Sequence, residues 1–298
     1  MSDLPDTMSS EPMPTTISHP GSMQSIFGAF TEQVVSASVQ EPLRLGLLGG
    51  TFDPIHIGHL LLAQFAQEQY DLDGVLFIPC AYPFYKTHAQ AHTGWTGPAN
   101  AEARVNMLRL AIQGKGVFEL SRVEVDREAP SYTIDTIKTI SKACGLTTGS
   151  VRVELFLIVG ADALVDLPNW RDTDEIARSV TILYGRRPGT DDGQIEHLVG
   201  NKEMNAHAVD AVQLDVSSTL IRSRVAKGLS IDYFTPEPVV RYIMDKGLYR
   251  QQQNAVRLDH ENARVLADDA EGNGLDAQHK PPADHMADQP ASAIQTEQ

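Results

Sequence analysis

Between residues 43 and 250, short apolar runs alternate with stretches whose apolar positions recur at helical spacing. Leu45, Leu47 and Leu48 form the first run, suited to a central parallel strand. Leu60–Tyr70 follows, with Leu61, Leu62, Phe65 and Ala66 on one helical side. Val75–Pro79 (VLFIP) predicts the next strand, Ala101–Gln113 a helix and Gly116–Leu120 a short strand. Ser131 or Thr133 is placed to cap a helix running to about Cys144. Arg152–Val159 (RVELFLIV) is the most apolar strand, and Val180–Tyr184 is another. Ala211–Leu214 leads into a capped helix at Ser217–Lys227, and Pro238–Lys246 supplies the last helix. Cys80–Pro98 is too rich in Pro, Gly and His for regular structure. Such alternation predicts an α/β fold: a Rossmann-like doubly wound parallel sheet, helices on both faces, closing with C-terminal helices. Ligands of such sheets sit beyond the carboxyl ends of the strands.

Composition alters this picture only at the ends. Of 298 residues, the first 42 contain five acids and no Lys or Arg, among many Ser, Thr, Pro and Met. From Gln251 onward, nine acids face Arg257, Arg264 and Lys280. The two ends thus carry −5 and −6 of the formal −15. Low hydrophobicity with net charge predicts disordered acidic tails at 1–42 and 251–298, flanking one globular unit at 43–250. Within the first tail, Ile26–Val35 is mildly apolar and suits a transient helix. No basic region precedes it and no run approaches ~18 apolar residues, so neither a secretory signal nor a membrane span is expected. Cys80 and Cys144 lie far apart and fit a reducing cytoplasm, without a disulfide framework or zinc motif. The acidic balance argues against broad nucleic-acid binding.

The candidate chemistry starts at Leu43–His59 (LRLGLLGGTFDPIHIGH), a buried strand running into a helix start. Gly49 and Gly50 allow a ligand to approach the backbone where a Cβ would clash. His56 and His59 are one helical turn apart, with Gly58 leaving the surface between them open. Free N–H groups at a helix N-terminus plus two imidazoles make a polyphosphate site. A zinc pair would require further ligands nearby, where Asp53 stands alone. Neither a Walker-type phosphate loop nor a G-x-G-x-x-G fingerprint occurs. A second anion site is predicted where Ser217, Ser218 and Thr219 open a helix and Arg222 follows one turn on. Taken alone, that segment also reads as an ordinary capped helix with a surface arginine.

Gly49–His59 (GGTFDPIHIGH) resembles the first motif of the HIGH-type nucleotidylyltransferase superfamily. Downstream segments resemble bacterial nicotinate-nucleotide adenylyltransferases in particular. They are Ser131–Ile137 (SYTIDTI), Val159–Trp170 (VGADALVDLPNW), Arg186–Gly189 (RRPG), Val216–Arg222 (VSSTLIR) and Tyr242–Tyr249 (YIMDKGLY). The resemblance covers essentially all of 43–250 and neither tail. It implies ATP binding by Gly49, Gly50, Thr51, Phe52, His56, His59, Gly160, Asp162, Ser217, Ser218, Thr219 and Arg222. It implies nicotinate mononucleotide binding by Lys86, Tyr132, Thr133 and Trp170. Asp162 could accept ribose hydroxyls or simply cap a helix, and Trp170 could stack on the pyridine or pack in the core. One departure stands out: the family usually has Pro-Pro-His-Lys or Pro-Pro-His-Arg after the second strand, and this chain has Tyr82-Pro83-Phe84-Tyr85-Lys86.

The implied reaction is attack by the nicotinate mononucleotide phosphate on the α-phosphorus of ATP, giving nicotinate adenine dinucleotide and pyrophosphate. His56, His59, Lys86 and Arg222 are the implied catalytic residues. With no carboxylate cluster in the sequence, Mg²⁺ is expected to arrive with ATP, held by substrate and water. Three other readings share the motif. A sister enzyme would take nicotinamide mononucleotide or phosphopantetheine. A class I aminoacyl-tRNA synthetase would carry a KMSKS-like loop, absent here. A non-catalytic nucleotide sensor would keep the fold alone. Removal of both tails is expected to leave turnover unchanged.

Overall fold

The computed structural model describes residues 22–32, 42–81, 99–128, 130–148, 153–186, 192–201 and 204–250. Six parallel strands form one sheet: β1 (Leu43–Gly50), β2 (Gly74–Pro79), β3 (Phe118–Leu120), β4 (Val153–Gly160), β5 (Thr181–Gly185) and β6 (Ala206–Val209). Their order is β3-β2-β1-β4-β5-β6, the doubly wound Rossmann arrangement. β1 is central, pairing Leu47 with Leu76 on one side and Leu157 on the other. Being covered on both faces, it reads as a nearly continuous apolar run rather than an alternating one.

The sheet divides the core in two. Beneath one face, Leu45, Leu47, Leu155, Leu157 and Ile182 meet α4 (Thr133–Thr148), α5 (Ala161–Asp166), α6 (Thr173–Ser179) and α7 (Asp192–Asn201) in a single apolar cluster. Beneath the other, Phe77, Phe156, Ile158 and Leu183 meet α2 (Ile57–Gln69), α3 (Ala101–Ile112), α8 (Ser218–Ala226) and α9 (Glu237–Asp245). None of the described helices is long and apolar enough to cross a membrane.

Several boundaries differ from the sequence expectation. α2 begins at Ile57 rather than Leu60, and its buried residues are Ala63 and Ala66, while Leu61, Leu62 and Phe65 are only half-buried. Small side chains let this helix lie close on the sheet. Leu62 packs over Gly185, where a Cβ would collide with its methyl group. The residue preceding α4 is Tyr132, whose carbonyl accepts from Asp135 and Thr136, so neither Ser131 nor Thr133 occupies the cap position. The edge strand lies at Ala206–Val209, and Ala211–Leu214 is irregular.

The first tail holds a larger correction. Residues 22–32 belong to the core: α1 (Met23–Phe27) and a 3₁₀ turn, Gly28–Phe30, bury Ile26, Phe27 and Phe30 completely. The apolar side chains join the cluster of Ile134 and Ile137 beneath β1 and β2. Phe30 lies against Gly74 so tightly that a Cβ there would overlap its ring. Expectations for 1–21, 33–41 and 251–298, and for Tyr82–Pro98 with Lys86, fall outside the described residues.

Candidate active site

A cleft of about 490 Å³ opens at the carboxyl ends of β1 and β4, where the strand order reverses. Leu47–Gly50 and Leu157–Gly160, the ends of those two strands, line it. This is the crevice expected of a doubly wound sheet.

The histidines enter from the loop after β1. His56, extended and buried, precedes α2, and His59 follows in its first turn. Their rings stack with centroids 3.7 Å apart and planes 24° apart. The His59 and Phe52 rings meet edge to face, with centroids 5.0 Å apart and planes at 73°. His56 N–H donates to His59 Nδ1 at 3.3 Å. An Nδ1 that accepts a proton donor bears no proton itself, so the neutral ring is protonated at Nε2. His59 is therefore fixed in orientation and tautomer where it lines the cleft.

The small residues around them have separate functions. Gly49 faces open space, with no atom within 4 Å of where a Cβ would stand. Gly50 instead accommodates Phe52, whose ring atoms lie 3.0–3.3 Å from that position. Phe52 does not line the cleft. It is buried at a left-handed φ of 50°, supporting Gly50 and His59 from below. Gly58 likewise makes room for the His56 ring, 3.1 Å away. The helix start is less free than its sequence suggests. Ile57 N–H donates to Phe234 O and His59 N–H to His56 O, leaving Gly58 N–H without an acceptor among the described residues.

Gly49, Gly50, Thr51, His56, His59, Gly160, Asp162, Thr133 and Trp170 all line this cleft. Asp162 stands in the first turn of α5, with Gly160 at the cap position. Trp170 is held by Nε1 donation to Asp166 at 3.2 Å. Tyr132 turns outward beneath the Arg171 guanidinium, 4.7 Å from the ring centre. Ser217, Ser218, Thr219 and Arg222 are not part of the lining, and of them Ser218 and Arg222 bond to the histidine loop. Ser217 Oγ caps Leu220, Ser218 Oγ donates to Pro54 O at 2.8 Å, and Thr219 Oγ1 accepts from Arg222. Arg222 is buried, with Nη1 donating to Asp53 O at 2.7 Å and standing 3.7 Å from Asp53 Oδ2.

Asp53 organises a polar cluster that sequence reasoning missed. Its Oδ1 accepts from Tyr249 Oη at 2.6 Å and from Ala99 N–H at 3.1 Å. Burial, then the adjacent Asp53 charge, push the Tyr249 hydroxyl far above its ordinary range. Arg104, fully buried, donates to Thr51 O at 2.8 Å, Ala81 O at 3.0 Å and Ala99 O at 3.1 Å. One guanidinium thus fastens the loop after β1 to chain on either side of 82–98. Also missed were Glu124 and Cys80, which line the cleft together with Ser131 and Thr136 of the Ser131–Ile137 segment. Glu124 Oε1 accepts from Thr136 Oγ1 at 2.8 Å, and Arg127 Nη1 donates to that hydroxyl at 3.3 Å. Burial raises the Glu124 carboxyl, opposed by the Thr136 hydrogen bond and the Arg127 charge. No local pattern in the sequence marks Glu124, because it stands in a turn and its partner Thr136 comes from α4.

Residues 47–224 match the cytidylyltransferase-like family model. A probable nicotinate-nucleotide adenylyltransferase of Halalkalibacterium halodurans is 39% identical over 214 residues, covering 71% of this chain and 93% of the relative. The chain belongs to this family. A second probable nicotinate-nucleotide adenylyltransferase, from a Thermoanaerobacter species, is 36% identical and is covered over 98% of its length by 72% of this chain. Family membership agrees with the fold of a solved structure, Plasmodium falciparum nicotinic acid mononucleotide adenylyltransferase complexed with NaAD. That structure has a TM-score of 0.56 at 18% identity, over 69% of this chain and 97% of that one. Among the described residues no group of three or more His, Cys, Asp or Glu could hold a metal ion.

Proposed function

We propose that the cleft transfers the adenylyl group of ATP to nicotinate mononucleotide, giving nicotinate adenine dinucleotide and pyrophosphate, a step of NAD biosynthesis. One observation carries this reading. The stacked histidines and the open backbone at Gly49 share a single cleft with Thr133, Asp162 and Trp170. One end suits phosphates, and the other offers an aromatic ring beside hydroxyl and backbone donors.

An oxygen of the mononucleotide phosphate attacks the α-phosphorus, the bond to the β-phosphate oxygen breaks, and pyrophosphate leaves with that electron pair. A phosphate monoester is largely dianionic above its second pKa of about 6, so no general base is needed. Catalysis reduces to alignment and stabilisation of developing charge. His59, presenting Nε2–H, donates to a phosphate oxygen, with His56 holding its ring. Asp162 accepts from ribose hydroxyls, and Ser131 and Thr133 with Trp170 receive the pyridine carboxylate and ring. Ser218, Thr219 and Arg222 take the departing pyrophosphate, Arg222 exchanging Asp53 for phosphate oxygens. Support for that role is the bond from Ser218 to Pro54 O, two residues from His56. Lys86 keeps the contact to the incoming phosphate that the resemblance implies. A divalent metal accompanies ATP in nucleotidyl transfer, and Mg²⁺ is the ion we assign. With Glu124 and Asp162 the two acids of the described lining, the donor set suits an ion held by substrate oxygens and water. The two thiols, Cys80 and Cys144, suit a cytoplasmic protein.

Steady-state assays with Mg-ATP and either nicotinate or nicotinamide mononucleotide test the proposal. Pyrophosphate release with a higher kcat/KM for nicotinate mononucleotide is expected. Reversed preference would reassign the acceptor, and ATP binding without release from either would indicate a sensor.

A further inference from the structure

The N-terminal segment 22–32 reaches the active site through one short turn. Ser25 O accepts from Arg122 N–H at 2.9 Å, and Ser25 Oγ donates to Asp126 Oδ2 at 2.8 Å. Both of its partners bound the turn 122–126, which Arg122 closes by pairing with Asp126 at 2.9 Å. Within that turn stands Glu124, which faces the cleft and accepts from Thr136 in the first turn of α4. On the apolar side, Ile26, Phe27 and Phe30 share one cluster with Val123, Ile134 and Ile137. The segment therefore grips both pieces of chain that carry Glu124 and Thr136. Ser25 is itself buried, so its hydroxyl bond is made in a medium where losing it matters.

We propose that residues 22–30 form a positioning strap for the acceptor side of the cleft, with Ser25 holding the turn that presents Glu124 to Thr136. This rests on the assignment of Thr133 and Trp170 to the acceptor nucleotide. Neither Ser25 nor Asp126 touches the cleft, so the strap acts through geometry rather than contact. The phosphate end is built instead on the loop after β1, with His56 and His59 at the start of α2.

The test uses full-length protein with Ser25→Asp, which sets a carboxylate against Asp126, and Ser25→Ala, which only removes the donor. Hydrogen exchange of amides 121–137 is followed beside steady-state kinetics. Ser25→Asp should speed exchange in that stretch and raise KM for nicotinate mononucleotide about fivefold or more, the scale of one lost buried hydrogen bond. KM for ATP should stay within about twofold, because the histidine loop is untouched. Ser25→Ala should shift both readouts the same way by less, and Ser25→Thr, which keeps the hydroxyl, should restore them. Unchanged exchange at 121–137 in folded Ser25→Asp would overturn the strap, as would equal rises in both KM values. Should Ser25→Asp not fold, the Ser25→Ala and Ser25→Thr pair decides by the same criteria. If the wild type transfers nothing to nicotinate mononucleotide, the functional proposal fails, and exchange at 121–137 still decides for or against the strap.

Discussion

His59 is confined by the stacked His56 ring, the Phe52 ring set across it and the N–H bond to its Nδ1, so it donates from one nitrogen in one direction. Replacement by Ala should lower kcat by roughly 10²-fold, the scale of one lost transition-state donor. Single-turnover pyrophosphate release on a variant of unchanged melting temperature checks this, and near-normal turnover would remove His59 from the mechanism. Glu124 poses a different single-residue problem. Burial raises its folded pKa above the ordinary 4.5 of a glutamate, so between that value and the raised one the native state binds the extra proton. Stability must then fall as pH rises through this window. Glu124→Gln, which keeps the acceptor for Thr136 without the charge, should lack that component. Melting temperatures followed as pH falls from neutral toward 4.5 should show the wild type gaining on the variant. A constant gap would mean that Arg127 and Thr136 fully offset burial.

At the scale of elements, strands and long helices were legible because each buries a face whose period shows in the sequence. β1 and β4 stood out as Leu45–Leu48 and Leu155–Val159, covered on both faces. β6 did not, since Ala206–Val209 is four residues with one buried side chain. The phosphate end of the cleft was readable at Gly49, His56 and His59 because one continuous segment makes it. The tertiary reasons for Gly50 and Gly58 were not, since the same glycine signal serves a ligand or a ring packed behind it. Arg104, Asp53 and Tyr249 were illegible for a stronger reason, because their partners come from elements far apart in the chain. That network joins the turn after α9 to the histidine loop, and Tyr249→Phe measures it. Losing a 2.6 Å bond to a buried carboxylate should cost about 1–3 kcal/mol in denaturant unfolding. Tyr242→Phe is the control, because its hydroxyl makes only a 3.4 Å contact with Asn106, and it should cost less.

For the whole molecule, charge and core divide the chain differently. Residues 1–42 and 251–298 hold −11 of the formal −15, leaving −4 for the unit that receives two anionic nucleotides. By charge the first 42 residues are all tail, yet by packing residues 22–32 are core. Composition averages over the segment, and three large side chains among many polar ones vanish in the average. Ile26, Phe27 and Phe30 are each at most 2% exposed. Burying one such side chain contributes about 1.5–3 kcal/mol, so the three together approach the ~5–15 kcal/mol by which domains are stable. Truncations separate the two descriptions. Removing 1–21 should leave the melting temperature unchanged. Removing 1–32 exposes one face of the sheet beside Gly74 and the apolar side of α4, and should lower it sharply or leave no cooperative transition. Equal melting of both truncated proteins would mean that other side chains close over Leu76 and Ile134 when the segment is gone. The strap would then be replaceable as packing, and only its hydrogen bonds to Arg122 and Asp126 would remain to connect it with the cleft.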